Sequence, residues 1–168
     1  GEILIILLSI LFNMPVPLLA IQLLWLNLIT DSFPALALGV EKGDSKIMEV
    51  PPRNPDEPIL DKDMIRGITL QSIAITVATL FSYRWGLKKY GMDNLNIART
   101  IAFATLISAE LLRAFSSRSR RESIFKIGVF SNKTLNYAVL FSFILLFAVI
   151  YISPLQRIFR TFPLNLND

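Results

Sequence analysis

The strongest constraint in this sequence is the length of its apolar runs. Residues 18–40, 64–83, 97–115 and 134–152 are dominated by aliphatic and aromatic side chains. Each is close to the roughly 20 residues that a helix needs to cross about 30 Å of hydrocarbon. A further run, 3–12, is too short to cross alone and reads as the end of a helix whose beginning lies upstream of Gly1. The predicted fold class is therefore all-α: a polytopic transmembrane helix bundle of about four full spans plus a partial first helix. Residues 1–168 form a single membrane region, read as a fragment of a longer chain.

Composition agrees with that class. Charged residues make up 18% of the chain, below the roughly 25% of soluble domains, and they collect between the apolar runs. There is no Cys and no His, which excludes disulfide frameworks, zinc sites and histidine acid–base chemistry. The net charge of +4 sets topology and is not read as a nucleic-acid footprint. Residues 41–63, with four prolines and many charges, form a water-exposed loop. Residues 116–133 form a second, basic loop with an amphipathic patch over 123–130. These loops and their flanks hold eleven of the seventeen Lys and Arg residues, so both face the cytoplasm by the positive-inside rule. The proline-marked turn at 13–17 and the link at 91–96 then lie outside, with Tyr83, Trp85 and Tyr90 as an interfacial belt.

One span departs from its apolar pattern. Between Leu23 and Val40 it carries Asn27, Thr30 and Asp31, spaced i, i+3 and i+4 and so on one face of an α-helix. An aspartate inside an apolar span is costly and marks function. Pro34 has no N–H, so the carbonyl of Thr30 loses its helical donor. Carboxylate, amide oxygen, hydroxyl and freed carbonyl together form the ligand set of a hard cation. Two other acids reach the same level. Counting from the outer turns at 1.5 Å per residue, Glu2 lies ~16 Å inward, Asn27 ~15 Å, Asp31 ~21 Å and Glu110 ~20 Å. Three carboxylates at one depth must be protonated, paired with Arg, or bound to a cation. Plainer roles compete: Asn27 and Thr30 as interhelical hydrogen-bonding glue, and Glu110 as the i+3 ion-pair partner of Arg113. Arg113 could equally snorkel to the cytoplasm and leave Glu110 free.

The motifs W-x-N-L-x-T-D (25–31), P-A-x-A-L-G (34–39) and P-P-R-x-P-x-E-P-I (51–59) resemble the sixth membrane helix and following loop of P-type ATPases, specifically the calcium-pumping branch. The likeness extends from the end of the fifth helix through the ninth. It implies that Asp31, Asn27, Thr30, Glu2 and Glu110 are ligands of transported Ca²⁺, and that loop 41–63 contacts the remaining domains of the parent ATPase. It further implies ATP-driven export of Ca²⁺ from the cytosol with protons returning. Mg²⁺ and ATP would be bound outside this fragment. The aspartyl-phosphate motif DKTGT, the actuator motif TGES and the fourth-helix PEGLP do not occur here, so the fragment alone should be inactive. Membrane lipid is the other expected partner, nucleic acid is not, and a plasma membrane is expected over an internal one. Alternatives are a Mn²⁺ or other cation P-type pump and a secondary cation/proton antiporter. Arg113 beside Glu110 departs from the two-site pumps and suggests one ion per cycle.

Overall fold

A computed structural model describes residues 1–40, 60–118, 126 and 128–165. Among them there is no strand. The helices are α1 (Glu2–Leu11), α2 (Ala20–Trp25), a π-helical segment (Leu26–Asp31), α3 (Ser32–Gly39), α4 (Lys62–Tyr90), α5 (Leu95–Ser116), α6 (Lys133–Tyr151) and α7 (Ser153–Phe159). Four stretches are long and apolar enough to cross a membrane: Ala20–Gly39, Lys62–Tyr90, Leu95–Ser116 and Lys133–Tyr151. Together with the shorter apolar α1, they give the expected count. Most of loop 41–63 and most of the amphipathic patch at 123–130 lie outside the described residues.

Two boundaries differ from the apolar runs. Helix α4 begins at Lys62, because Asp61 caps it by accepting the Met64 N–H at 2.7 Å. It also continues seven residues past Tyr83, to Tyr90. Arg84, Lys88 and Lys89 favour helix, and the two lysines complement its C-terminal dipole until Gly91 turns the chain at φ 74°. Hydropathy alone could not see this polar extension.

The outer end is built around the 13–17 turn. Asn13 closes α1 in the left-handed region at φ 51°, a conformation its short polar side chain tolerates. Two of the turn's carbonyls are then taken by side chains from the neighbouring spans. The Tyr83 hydroxyl donates to Pro15 O at 2.9 Å, and Arg99 Nε donates to Val16 O at 3.0 Å. These bonds place the turn beside the α4–α5 hairpin, as the charge pattern expects.

Helix α5 is the most enclosed span. It buries Ile101, Phe103, Leu106, Ile107 and Leu111 against Ile5, Leu26 and Leu135 from three other spans. Its outer half meets α4 through small residues. A Cβ on Gly86 would stand 3.0 Å from Ala98 Cα and 3.2 Å from both Ala98 Cβ and Ile101 Cδ1, a close backbone approach of the kind that packs membrane helices. At the inner end, Asn132 starts α6 by accepting the Leu135 N–H at 2.9 Å. Its amide donates to Ala37 O at 3.3 Å, tying α6 to the end of α3. The Arg118 guanidinium gathers Gly128 O at 2.8 Å and Ser131 Oγ at 2.6 Å, which closes the second loop.

Replacing Gly86 with Val should separate α4 from α5 and destabilise the protein by about 1–3 kcal/mol through overpacking. Thermal unfolding in detergent is the check, with Gly86→Ala expected to cost less.

Candidate cation site

The 18–40 span is not one continuous α-helix. It is α-helical over Ala20–Trp25, winds as a π-helix over Leu26–Asp31, and returns to α over Ser32–Gly39. The π turn coincides with the stretch that bears Asn27, Thr30 and Asp31. Pro34 supplies the physical reason. In α winding its ring would press on the Thr30 carbonyl without donating to it. The π turn lies immediately before this proline-interrupted stretch. Single π turns of this kind occur mostly at functional positions.

The wide turn redistributes the three polar residues. In α winding Asn27 and Thr30 would share a face. Here Thr30 is buried at 3% exposure, whereas Asn27 is exposed. Asp31 closes the π turn, and its side chain lies outside what the structure describes.

Thr30 and Pro34 form one wall of an open cleft of about 220 Å³, with Leu38 below them. Glu110, Arg113 and Ser117 of α5 form the opposite wall. Depth counting placed Asp31 and Glu110 at one level, and Thr30, the residue before Asp31, lines this cleft together with Glu110. Glu110 is enclosed, its side chain only 10% exposed. Arg113 Nε donates to Glu110 Oε2 at 2.6 Å, so the pairing that the sequence left open is made. The free oxygen, Oε1, lies against α1: a Cβ added to Gly1 would stand 3.4 Å from it. Glu2, partly buried, begins α1 one residue further on. The start of α1 and the middle of α5 are thus in contact, at the shared level that the sequence predicts.

Among the described residues, the Thr30 hydroxyl has no hydrogen-bond partner. A buried hydroxyl left unpaired costs about 1–3 kcal/mol, and here it lines a cleft with a carboxylate on the far wall. Among the described side chains, no three acidic groups gather into a ready-made metal cage. Any cation held here would rely on mixed oxygen ligands, which suits a hard cation. Ser117 and Leu38 were not expected from sequence. They have no chemical signature of their own and reach the cleft only through helix packing.

Spans of this length, with a polar break in one of them, define an integral multi-pass membrane protein of the transport class. Within that class the chain belongs to the family described as cation transporting ATPase, C-terminus, which matches residues 15–168. It is 39% identical over its whole length to the calcium-transporting ATPase of Bacillus subtilis (strain 168), of which it covers 19%. It is 41% identical, over 96% of its length, to calcium-transporting ATPase type 2C member 1 of Homo sapiens, covering 17% of that protein. A calcium-transporting ATPase 1 of Saccharomyces cerevisiae is 36% identical over 96% of the chain and is also covered to 17%. The chain thus spans about a fifth of the length of these relatives.

Thr30→Val should separate folding from binding. Removing an unpaired hydroxyl at constant shape should leave stability unchanged or raise it by about 1 kcal/mol. Cation binding should weaken. Thermal unfolding and equilibrium binding of radioactive Ca²⁺, measured on the complete pump, would test the two halves.

Proposed function

We propose that this chain forms part of the ion-translocation pathway of an ATP-driven P-type pump that exports Ca²⁺ from the cytosol, with protons returning. The observation that carries the reading is the cleft between the π turn and α5, where an unpaired hydroxyl beside a helix-breaking proline faces an enclosed carboxylate. Relatives named calcium-transporting ATPase, similar along nearly the whole chain, support the choice of ion. In this reading Asp31 is the principal ligand, with Asn27 and Thr30 beside it on the same span. Glu2 and Glu110 contribute from α1 and α5, and residues outside the chain complete the shell. ATP and Mg²⁺ act elsewhere in the complete protein, and loop 41–63 transmits phosphorylation by contacting the phosphorylation domain. We place the pump in the plasma membrane, a choice supported by the full-length match to a bacterial relative.

The ion pair bears on stoichiometry. Arg113 already offers Glu110 a positive charge at hydrogen-bonding distance. A second Ca²⁺ that needed Glu110 would have to displace a guanidinium from a charge-assisted bond, among the stronger hydrogen bonds in proteins. One Ca²⁺ per cycle, held mainly from the Asp31 side, is the arrangement these charges support.

The test is Asp31→Asn in the complete pump. The substitution preserves size and removes the charge, and Ca²⁺-dependent phosphorylation by ATP should be lost while phosphorylation by inorganic phosphate persists. Unaltered Ca²⁺ dependence would overturn the assignment.

A further inference from the structure

The segment that follows α6, here called the tail, packs back against the bundle. Ser153 to Asn165 fold back over the outer end as α7 and an extended segment, held there by three bonds. Thr161 Oγ1 donates to Val149 O at 2.5 Å, the Phe162 N–H donates to Thr100 Oγ1 at 3.0 Å, and the Tyr151 hydroxyl donates to Leu164 O at 2.9 Å. The tail is therefore fixed to both α5 and α6.

From this rim a contact reaches the ion-bearing span. Gln22 on α2 is fully buried and uses both ends of its amide. Its Oε1 accepts the Leu19 N–H at 3.0 Å, capping the helix start, and its Nε2 donates to Phe159 O at 3.1 Å. One turn inward, Trp25 meets the same residue edge-on, with ring centroids 6.1 Å apart, and meets Phe103 of α5 at 5.7 Å. Phe159 thus grips α2 at two successive turns, immediately before the π segment begins.

We propose that Gln22 is a positioning residue for the cation site, through which the folded-back tail holds the outer end of the ion-bearing span. Gln22 lies five residues before Asn27, ~7.5 Å outward along the helix, and touches no proposed ligand. Its effect runs through the register of the π turn: with the outer end anchored, the pitch of Leu26–Asp31 is fixed against α5. The proposal rests on the Ca²⁺-pump reading.

The experiment is a double-mutant cycle in the complete pump. Gln22→Met removes the amide at similar size, and Thr161→Val loosens the tail at its other attachment. The readout is the Ca²⁺ concentration for half-maximal phosphoenzyme (K0.5), with maximal phosphoenzyme and thermal stability measured alongside. Each single variant should raise K0.5 about three- to tenfold, the loss of one buried hydrogen bond. The double variant should raise it no further than Gln22→Met alone, since the tail acts through Gln22. Unchanged K0.5 in Gln22→Met, even with lowered thermal stability, would reduce Gln22 to a packing residue and overturn the proposal. Independent, multiplying effects would overturn the transmission through Gln22. Should Gln22→Met fail to fold, Thr161→Val still decides, because wild-type K0.5 in that variant contradicts the link. A wild-type protein without any Ca²⁺-dependent phosphoenzyme would instead overturn the pump reading itself, and this proposal with it.

Discussion

In hydrocarbon every backbone carbonyl must find a donor within the protein, and Pro34 removes one in the middle of a span. The rest of the site follows from how the chain answers that loss. The span winds as a π-helix over Leu26–Asp31, just before the proline. The widening turns Thr30 toward α5 and leaves Asn27 on the exposed side. A local defect thereby becomes a polar cleft across from Glu110. A regular α-helix of the same composition would offer no reason for a cleft there.

Charge is the second constraint. An enclosed carboxylate in a membrane span needs a partner, and Glu110 has one in Arg113, which reaches it from a more exposed position one turn further along α5. A cation arriving in the cleft therefore meets one carboxylate already compensated. In the proposed reading, the remaining attraction on this chain comes from the Asp31 side. This division separates a site that can hold one divalent ion strongly from one that must balance two.

Much of the fold was legible because the bilayer leaves few choices. Apolar runs of fixed length become spans, and basic loops orient them. Helical rise is nearly constant, so the level of a residue follows from its distance to a turn. The count put Asp31 level with Glu110, and Thr30 beside Asp31 shares a cleft with Glu110. Three features were not legible. The π winding has no signature in helix propensity, and it splits a face that α periodicity would keep together. Polar helix-formers such as Arg84, Lys88 and Lys89 extend α4 beyond the apolar run that hydropathy detects. The role of Gln22 depends on Phe159, 137 residues away, and only tertiary contact reveals such a pairing. Whether Arg113 pairs with Glu110 or snorkels was open in sequence, because both are sterically available at i+3, and the packing of α1 against Glu110 favours the pair.

The two ends of the bundle also differ in construction. The end around the 13–17 turn is tied by side chains that take backbone carbonyls of other segments: Tyr83, Arg99, Gln22 and Thr161. The inner end holds the open cleft, floored by Leu38 and Ser117. Counting Ca²⁺ bound per phosphorylatable site in the complete pump bears on the whole scheme, from the π turn to the Glu110–Arg113 pair. A value of one agrees with a carboxylate held by its arginine, and a value of two would show that Glu110 is free to bind cation and contradict it.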